Sequence, residues 1–463
     1  MPTFRLLAFP ALWSTALLFA LAGCASTMRE PDPNGGLSVP AAWSASAPTT
    51  SPTSLAQWWQ RFNDPLLTSL VTQALQANTN VRAAQAALQQ SRALQDVGSA
   101  RLLPGVSASA SAQQGQTDSN DPNRSVRVGL DASWEPDIFG GQHSALNATK
   151  ADTLASEASL GDVQVSVAAE VALDYMQLRG QQAQLAIAIS NLASQQETLQ
   201  LTDWRQQAGL ITALEVEQAR TSTEQTSAQI PLLQANIAQT RHALALLTGQ
   251  APDALQAQLE AAQPIPLAPE DLALAIPAQT LRQRPDVRAA EHRISAALAR
   301  VSVAEAARYP SFSIGGSVGL NALTLAGLSN GASVVSSLLA SVSVPLFDGG
   351  AARAQVRAQE ASLEQARVAY QATVLTALKD VEDALVALRG DRARLVRLEA
   401  AAQASANAAL MAQQRYASGL IDFQVVLQTQ RTVMGAQDAV ASARANISAD
   451  HVRLYKALGG GWV

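Results

Sequence analysis

"PGVSASASAQQ", residues 104–114, is the stretch on which the fold turns. Val106, Ala108, Ala110 and Ala112 alternate with Ser107, Ser109, Ser111 and Gln113, the period-2 pattern of a strand with one apolar and one polar face. These side chains are too small and too polar to build a globular core. Such a strand needs an apolar medium on one side and water on the other.

The pattern recurs. Val126, Val128, Leu130, Ala132 and Trp134 alternate with Arg127, Asp131 and Ser133. Phe312, Ile314, Val318 and Leu320 alternate with Ser311, Ser313 and Ser317, and Ala340, Val342, Val344 and Leu346 with Ser341 and Ser343. Strands are therefore expected at about 104–113, 126–135, 309–320 and 337–347. They form two hairpins because the chain is one unit written twice. "NVRAAQAALQQ" from Asn80 matches "DVRAAEHRISA" from Asp286, 206 residues on, and "AGLITALEVEQ" from Ala208 matches "SGLIDFQVVLQ" from Ser418, 210 residues on. "LRG" at Leu178 returns at Leu388. The repeats span 55–249 and 282–463, with a Pro-rich connector at 250–281.

Between the strands the composition is that of long helices: Ala, Gln and Leu tracts, 4% aromatic and 15% charged residues. Leu363, Ala366, Tyr370, Val374, Leu378, Val381, Leu385 and Leu388 recur at helical spacing over seven turns. In the first repeat a helix is expected from Gly141 to Gly180 and a second from Gln182 to about Gln206. Gly140, Gly141, Gly349 and Gly350 mark strand-to-helix bends. A coiled-coil rod would explain the helices but leaves the strands without a role. Four strands alone keep open edges, and closed membrane barrels need at least eight. Three chains related by cyclic symmetry supply 12. The expected fold is mostly α with a small membrane β-barrel: a duplicated unit whose trimer closes a 12-stranded β-barrel, with the long helices extending from its mouth.

At the N-terminus, Arg5 precedes an apolar run from Leu6 to Leu21 and then Ala22-Gly23-Cys24, the layout of a secretory signal. Cys24 is the one cysteine of the chain. Leu21-Ala22-Gly23-Cys24 resembles the bacterial lipobox, which implies a lipoprotein signal peptide at 1–23 and acylation of Cys24; the Ser, Thr and Pro-rich 24–54 is expected to be a flexible tether. A net charge of −5 gives no basic footprint for nucleic acid. His143, His242, His292 and His451 are isolated, and no metal-ligand, nucleophile-elbow or phosphate-loop motif is present, so neither an enzyme, a metal nor a cofactor beyond the lipid on Cys24 is expected.

"WEPDIFGG" (134–141), "RPDVRAAE" (284–291), "PLFDGG" (345–350) and "RYASGL" (415–420), together with Leu21-Ala22-Gly23-Cys24, resemble the outer membrane factor or TolC-like family. Its members are the outer membrane lipoprotein subunits of tripartite drug-efflux pumps. The resemblance implies a homotrimer anchored and spanning in outer membrane lipid, its 12-stranded β-barrel continuous with a long periplasmic α-helical barrel. It implies a periplasmic adaptor and an inner membrane pump, of the resistance-nodulation-division class, as partners, and a passive exit duct as the function. The polar strand faces (Ser107, Ser109, Ser111, Arg127, Asp131, Ser313, Ser317, Ser341, Ser343) would line its lumen. A gate would lie at the helix tips, where Tyr416 matches a family gate tyrosine, Glu215 its acidic partner, and Gly209 and Gly419 end helices. Val425 and Gln428 stand where some relatives carry lumen-facing aspartates, and Asp422 lies elsewhere on the turn, so closure is expected from packing and neutral hydrogen bonds. The outer membrane component of a type I secretion system and a periplasmic helical scaffold lipoprotein are the alternatives.

Overall fold

The computed structural model describes residue 43 and residues 55–116, 122–268 and 281–462; Cys24, the signal segment and the tether apart from Trp43 lie outside the described residues. The first half comprises α1 (Pro65–Ala77), α2 (Thr79–Ala100), β1 (Gly105–Gln116), β2 (Pro122–Trp134), α3 (Gly141–Gln207) and α4 (Ala213–Leu247). The second comprises α5 (Pro285–Ala306), β3 (Ser311–Ala322), β4 (Ser333–Ser343), α6 (Ala351–Ala417) and α7 (Phe423–Ala457). Corresponding helices have equal lengths: 22 residues in α2 and α5, 67 in α3 and α6, 35 in α4 and α7. At 1.5 Å per residue α3 and α6 each run about 100 Å.

The expected break at Gly180 does not occur: α3 is one continuous helix. Gly180 is instead a contact point, where an added Cβ would lie 2.9 Å from the Ala445 Cβ of α7. Its counterpart Gly390 has open space in that direction, so the shared "LRG" serves packing in one half alone. Gly141 is likewise a helical residue, closing α3 against Ala306; the left-handed turns fall on Gly140 (φ 74°), Gly349 (φ 63°) and Gly350 (φ 91°).

α2 and α4 do not run side by side. The end of α4 meets the start of α2 at Asn78, whose Oδ1 accepts from the Asn80 and Val81 amides and whose Nδ2 donates to the Leu247 carbonyl at 2.9 Å. The end of α7 meets the start of α5 at Arg284, which donates to the Ala457 carbonyl at 2.9 Å. Each half is thus a continuous strut beside a strut stacked from two helices. The α6 stripe shows why they match in length: Leu363, Tyr370 and Val374 pack on Val287, Ile294 and Val301 of α5, and Val381, Leu385 and Leu388 on Ile447 and Leu454 of α7. One apolar face spans both stacked helices. α3 packs on α2 and α5 toward the strands and on α4 and α7 toward the other end.

The strands form one antiparallel sheet in the order β1-β2-β3-β4, so β1 and β4 each leave an edge unpaired among the described residues. β4 begins at Ser333 and stops at Ser343, four residues before each expected boundary; Pro345 has no N–H with which to continue a ladder.

The joints are buried in a belt. The connector is fastened by Arg179, fully buried on α3, which donates to the Ala261 carbonyl at 2.8 Å and to Tyr175 Oη at 3.0 Å, and by Gln182, which donates to the Leu259 carbonyl at 2.9 Å. Trp58, Trp59, Phe62 and Tyr455 form an aromatic core beside it. His451 on α7 lies buried there, with Arg392 donating to its Nε2 at 3.1 Å. Burial, then the charges of Arg392 and Arg61, hold its pKa down at about 4. The neutral form is favoured by folding, so that stability is fully present above pH 6.5 and is lost as the pH falls from 6.5 through about 4. The loss should reach on the order of 3 kcal/mol. His451→Gln should flatten this part of the thermal-melting profile against pH; an unchanged acid slope would show that His451 does not carry it.

Candidate functional site

Two regions hold the expected site residues: the sheet and the helix tips. Register places every candidate wall residue on one face. Ser107, Ser109 and Ser111 pair with Asp131, Gly129 and Arg127, and Asp131 and Arg127 pair in turn with Ser317 and Asn321. Ser313 and Ser317 pair with Ser341 and Ser337, and Ser311 with Ser343. The face is tied across the strands: Ser109 donates to Asp131 at 2.5 Å, Arg127 to Ser317 at 3.2 Å, and the hydroxyls of Ser313 and Ser341 meet at 2.6 Å. Arg127 and Asp131 are its only charged side chains among the described residues.

The alternation has exceptions on both faces: Ser336 of β4 and, at the loop end, Gln114 and Arg124 share the apolar face. Val335 and Leu339 of β4 share the polar face, opposite Gly319 and Gly315, which leave room for them. The other face carries Val106, Val128, Leu130, Val318, Leu338 and Val342, all exposed. Exposed apolar side chains in this density need lipid rather than water. Where the strands give way to helices, aromatic residues gather: Phe139 stacks on Tyr309 with centroids 4.8 Å apart, Trp134 donates to the Leu102 carbonyl at 3.0 Å, and Phe347 stands exposed. The amphipathic rings among them, Trp134 and Tyr309, are of the kind enriched at membrane–water boundaries.

At the far ends, α3 and α6 stop in the same way. Gly209 (φ 73°) donates to Gln206 and Leu210 to Arg205; Gly419 (φ 70°) donates to Tyr416 and Leu420 to Arg415. These are Schellman caps, which need a residue free to adopt positive φ. Tyr416 lies buried against Phe423, Val426, Ala412 and Ala219, and its hydroxyl donates to Glu215 Oε2 at 3.4 Å. Burial first, and then the Glu215 carboxylate, push its phenol above the usual pKa.

A third member joins that pair. Arg205, in the last turn of α3, lies 4.9 Å above the Tyr416 ring and donates to the Ala417 carbonyl at 3.2 Å. It holds the end of α6 from the neighbouring hairpin. Arg205 was detectable in sequence only as the repeat partner of Arg415, 210 residues on. Val425 and Gln428 line a groove between the first turns of α4 and α7, flanked by Glu217 and Arg431. Asp422 caps the backbone start of α7 and takes no part in the Tyr416 cluster.

The comparisons with known proteins agree with this anatomy. The family model of outer membrane efflux proteins matches residues 70–250 and 276–460. The chain belongs to the outer membrane efflux protein family. The pyoverdine export outer membrane protein OpmQ of Pseudomonas aeruginosa is 32% identical over 466 residues, 98% of this chain and 96% of OpmQ. The solved structure of the outer-membrane channel OprN superposes with a TM-score of 0.86 at 36% identity, covering 94% of this chain and 98% of that one. The open state of the outer membrane channel MtrE of Neisseria gonorrhoeae gives 0.82 at 27% identity, over 94% and 97% of the two chains. The family has the fold expected here, TolC-like channels built from long helices and a small antiparallel sheet.

Arg205→Ala should loosen the tip by about 1–2 kcal/mol, read as a roughly 5–30-fold faster exchange of the Leu420 amide, with Leu247 at the far end of α4 unaffected. Equal protection of Leu420 in the two proteins would remove Arg205 from the tip.

Proposed function

We propose that three copies of this chain close a 12-stranded barrel in the outer membrane and a helical tube below it, and that the assembly is the passive exit duct of a tripartite efflux pump. The observation that carries this is the sheet: its four strands have one apolar face, one hydroxyl-lined face and two unpaired edges. A neighbouring copy supplies each edge, lipid covers the apolar face and water fills the tube. Among the described residues no helix is long and apolar enough to cross a membrane, so spanning falls to the strands.

In this reading Cys24 carries a lipid that anchors each chain, and the helices stand in the periplasm. Tyr416, Glu215 and Arg205 hold the tips together. The tips meet a periplasmic adaptor and an inner membrane pump of the resistance-nodulation-division class, which supplies the energy, and the duct carries out no chemistry of its own. The efflux role of the family favours this over a type I secretion duct. The exposed apolar sheet face disfavours a soluble scaffold, which has no use for it.

Two measurements test the proposal. The Cys24→Ser protein should still need detergent and still run as a trimer; recovery of a soluble monomer would sink the duct. In planar bilayers, Glu215→Gln combined with Tyr416→Phe should open more often than the unaltered protein, whereas indifference of the conductance to both would take these residues out of the gate.

A further inference from the structure

"RPDV", Arg284–Val287, lies at a joint of the structure rather than in its wall or at its tips. Its place becomes clear by comparison with the first half. There the helix joint is made by Asn78, buried and uncharged, bridging the α2 amides and the Leu247 carbonyl. The residue 206 positions on is Arg284, and the carbonyl 210 positions on is that of Ala457, to which Arg284 donates. The duplication keeps the bond and changes its chemistry from neutral to ionic.

Arg284 grips three helices. Nε and Nη2 donate to Asp286 of α5 at 3.0 and 2.7 Å, Nη2 also reaches Asp380 of α6 at 3.4 Å, and Nη1 holds the end of α7. The first two anchors fix the guanidinium to α5 and α6, and a single bond extends to α7. No helical backbone joins α7 to α5: α7 ends at Leu458 in a left-handed Gly459, and a Cβ on that glycine would lie 3.0 Å from the Arg284 Cα. α3 and α6 pass this level as unbroken helices. They can curve, but an abrupt change of angle would break backbone hydrogen bonds. A cavity of about 400 Å³ adjoins Arg284, lined by Asp162, Asp383, Asp450, Arg453 and Lys456.

We propose that Arg284 is the positioning residue of a hinge: it holds α7 in line with α5 while the duct is shut, and the α6–α7 hairpin turns about it when the tips part. This rests on the duct and gate reading above. Turning α7 strains one hydrogen bond while Asp286 and Asp380 retain the guanidinium, and the cavity gives the side chain space to move. Asp286 and Asp380 are 26% and 38% exposed, so salt reaches these pairs, whereas the Asn78 joint has no charge to screen. The two halves therefore differ in response: the second hairpin loosens with ionic strength and the first does not.

The test is the open probability of the reconstituted trimer in planar bilayers at roughly 0.1 and 1 M KCl, across which the Debye length falls from about 10 to about 3 Å. The unaltered protein should open more often at high salt. Arg284→Asn, which installs the residue used by the first half, should open about tenfold more often at low salt and lose the salt response. Arg284→Lys, which keeps the charge, should retain that response. If Arg284→Asn fails to assemble, the salt response of the unaltered and Arg284→Lys proteins decides, and its absence from the former overturns the hinge. Arg284→Asn that opens as rarely as the unaltered protein, or keeps its salt response, overturns it as well. The Glu215→Gln, Tyr416→Phe protein separates the two readings. If it conducts while Arg284 variants are indifferent, only the hinge falls; if it forms no channel, the duct falls and the hinge with it.

Discussion

The two unpaired edges of the β1-β2-β3-β4 sheet are the constraint on which the rest of the structure depends. In hydrocarbon an N–H or C=O without a partner costs several kcal/mol, and each edge presents a row of them. Within one chain the sheet has no remedy, because β1 and β4 are separated by the two strands between them. Strand number then matters. With four antiparallel strands, β1 and β4 run in opposite directions, so the β4 edge of one copy meets the β1 edge of the next as another antiparallel pair. An odd number per chain would put a parallel seam at each junction. In the proposed trimer the ladder would therefore continue unchanged around the ring.

Small side chains follow from closure. A ring of strands around water has no core to fill, so serine and glycine serve on the inner face and the lipid face needs only apolar surface. The apolar exceptions obey local packing: Leu339 and Val335 of β4 stand on the polar face because Gly315 and Gly319 lie opposite. Below the sheet the same economy operates in helices. The α6 stripe binds α5 along its upper part and α7 along its lower part, so one 67-residue face organises two shorter helices.

The strand faces and the duplication were legible in sequence because both are local patterns, readable at a spacing of two or as a repeated string. Contacts across the chain were not. Gly180 and Gly390 sit in identical "LRG" strings, yet only Gly180 has α7 against it, so no local rule could tell a packing glycine from a helix break. Arg205 and Arg284 find their carbonyl partners 212 and 173 residues away. Their types are common in exposed helix ends, and burial against a distant segment is what gives them meaning. Tyr416 and Glu215 were reached through resemblance, and the structure does bring them within hydrogen-bond distance. The Asn78 and Arg284 pair was available in principle, since both stand three residues before the matched "VRAA" strings, but its sense as a joint needed the stacked helices.

The geometry of the struts sets what opening costs. α7 runs 35 residues from its joint to its tip, about 50 Å, so a turn of about 5° at Arg284 carries the tip about 4 Å sideways. That displacement exceeds the 3.4 Å that separates Tyr416 from Glu215. A long lever with a side-chain joint at one end thus needs almost no bending of the helix between. The tip contacts it must break are individually modest, a long hydrogen bond to a carboxylate and a cation over an aromatic ring, each on the order of 1–2 kcal/mol. If the hinge proposed above holds, the free energy that favours the closed state lies at the two ends of the strut, where single side chains can be exchanged without disturbing the apolar stripe that keeps the helices together.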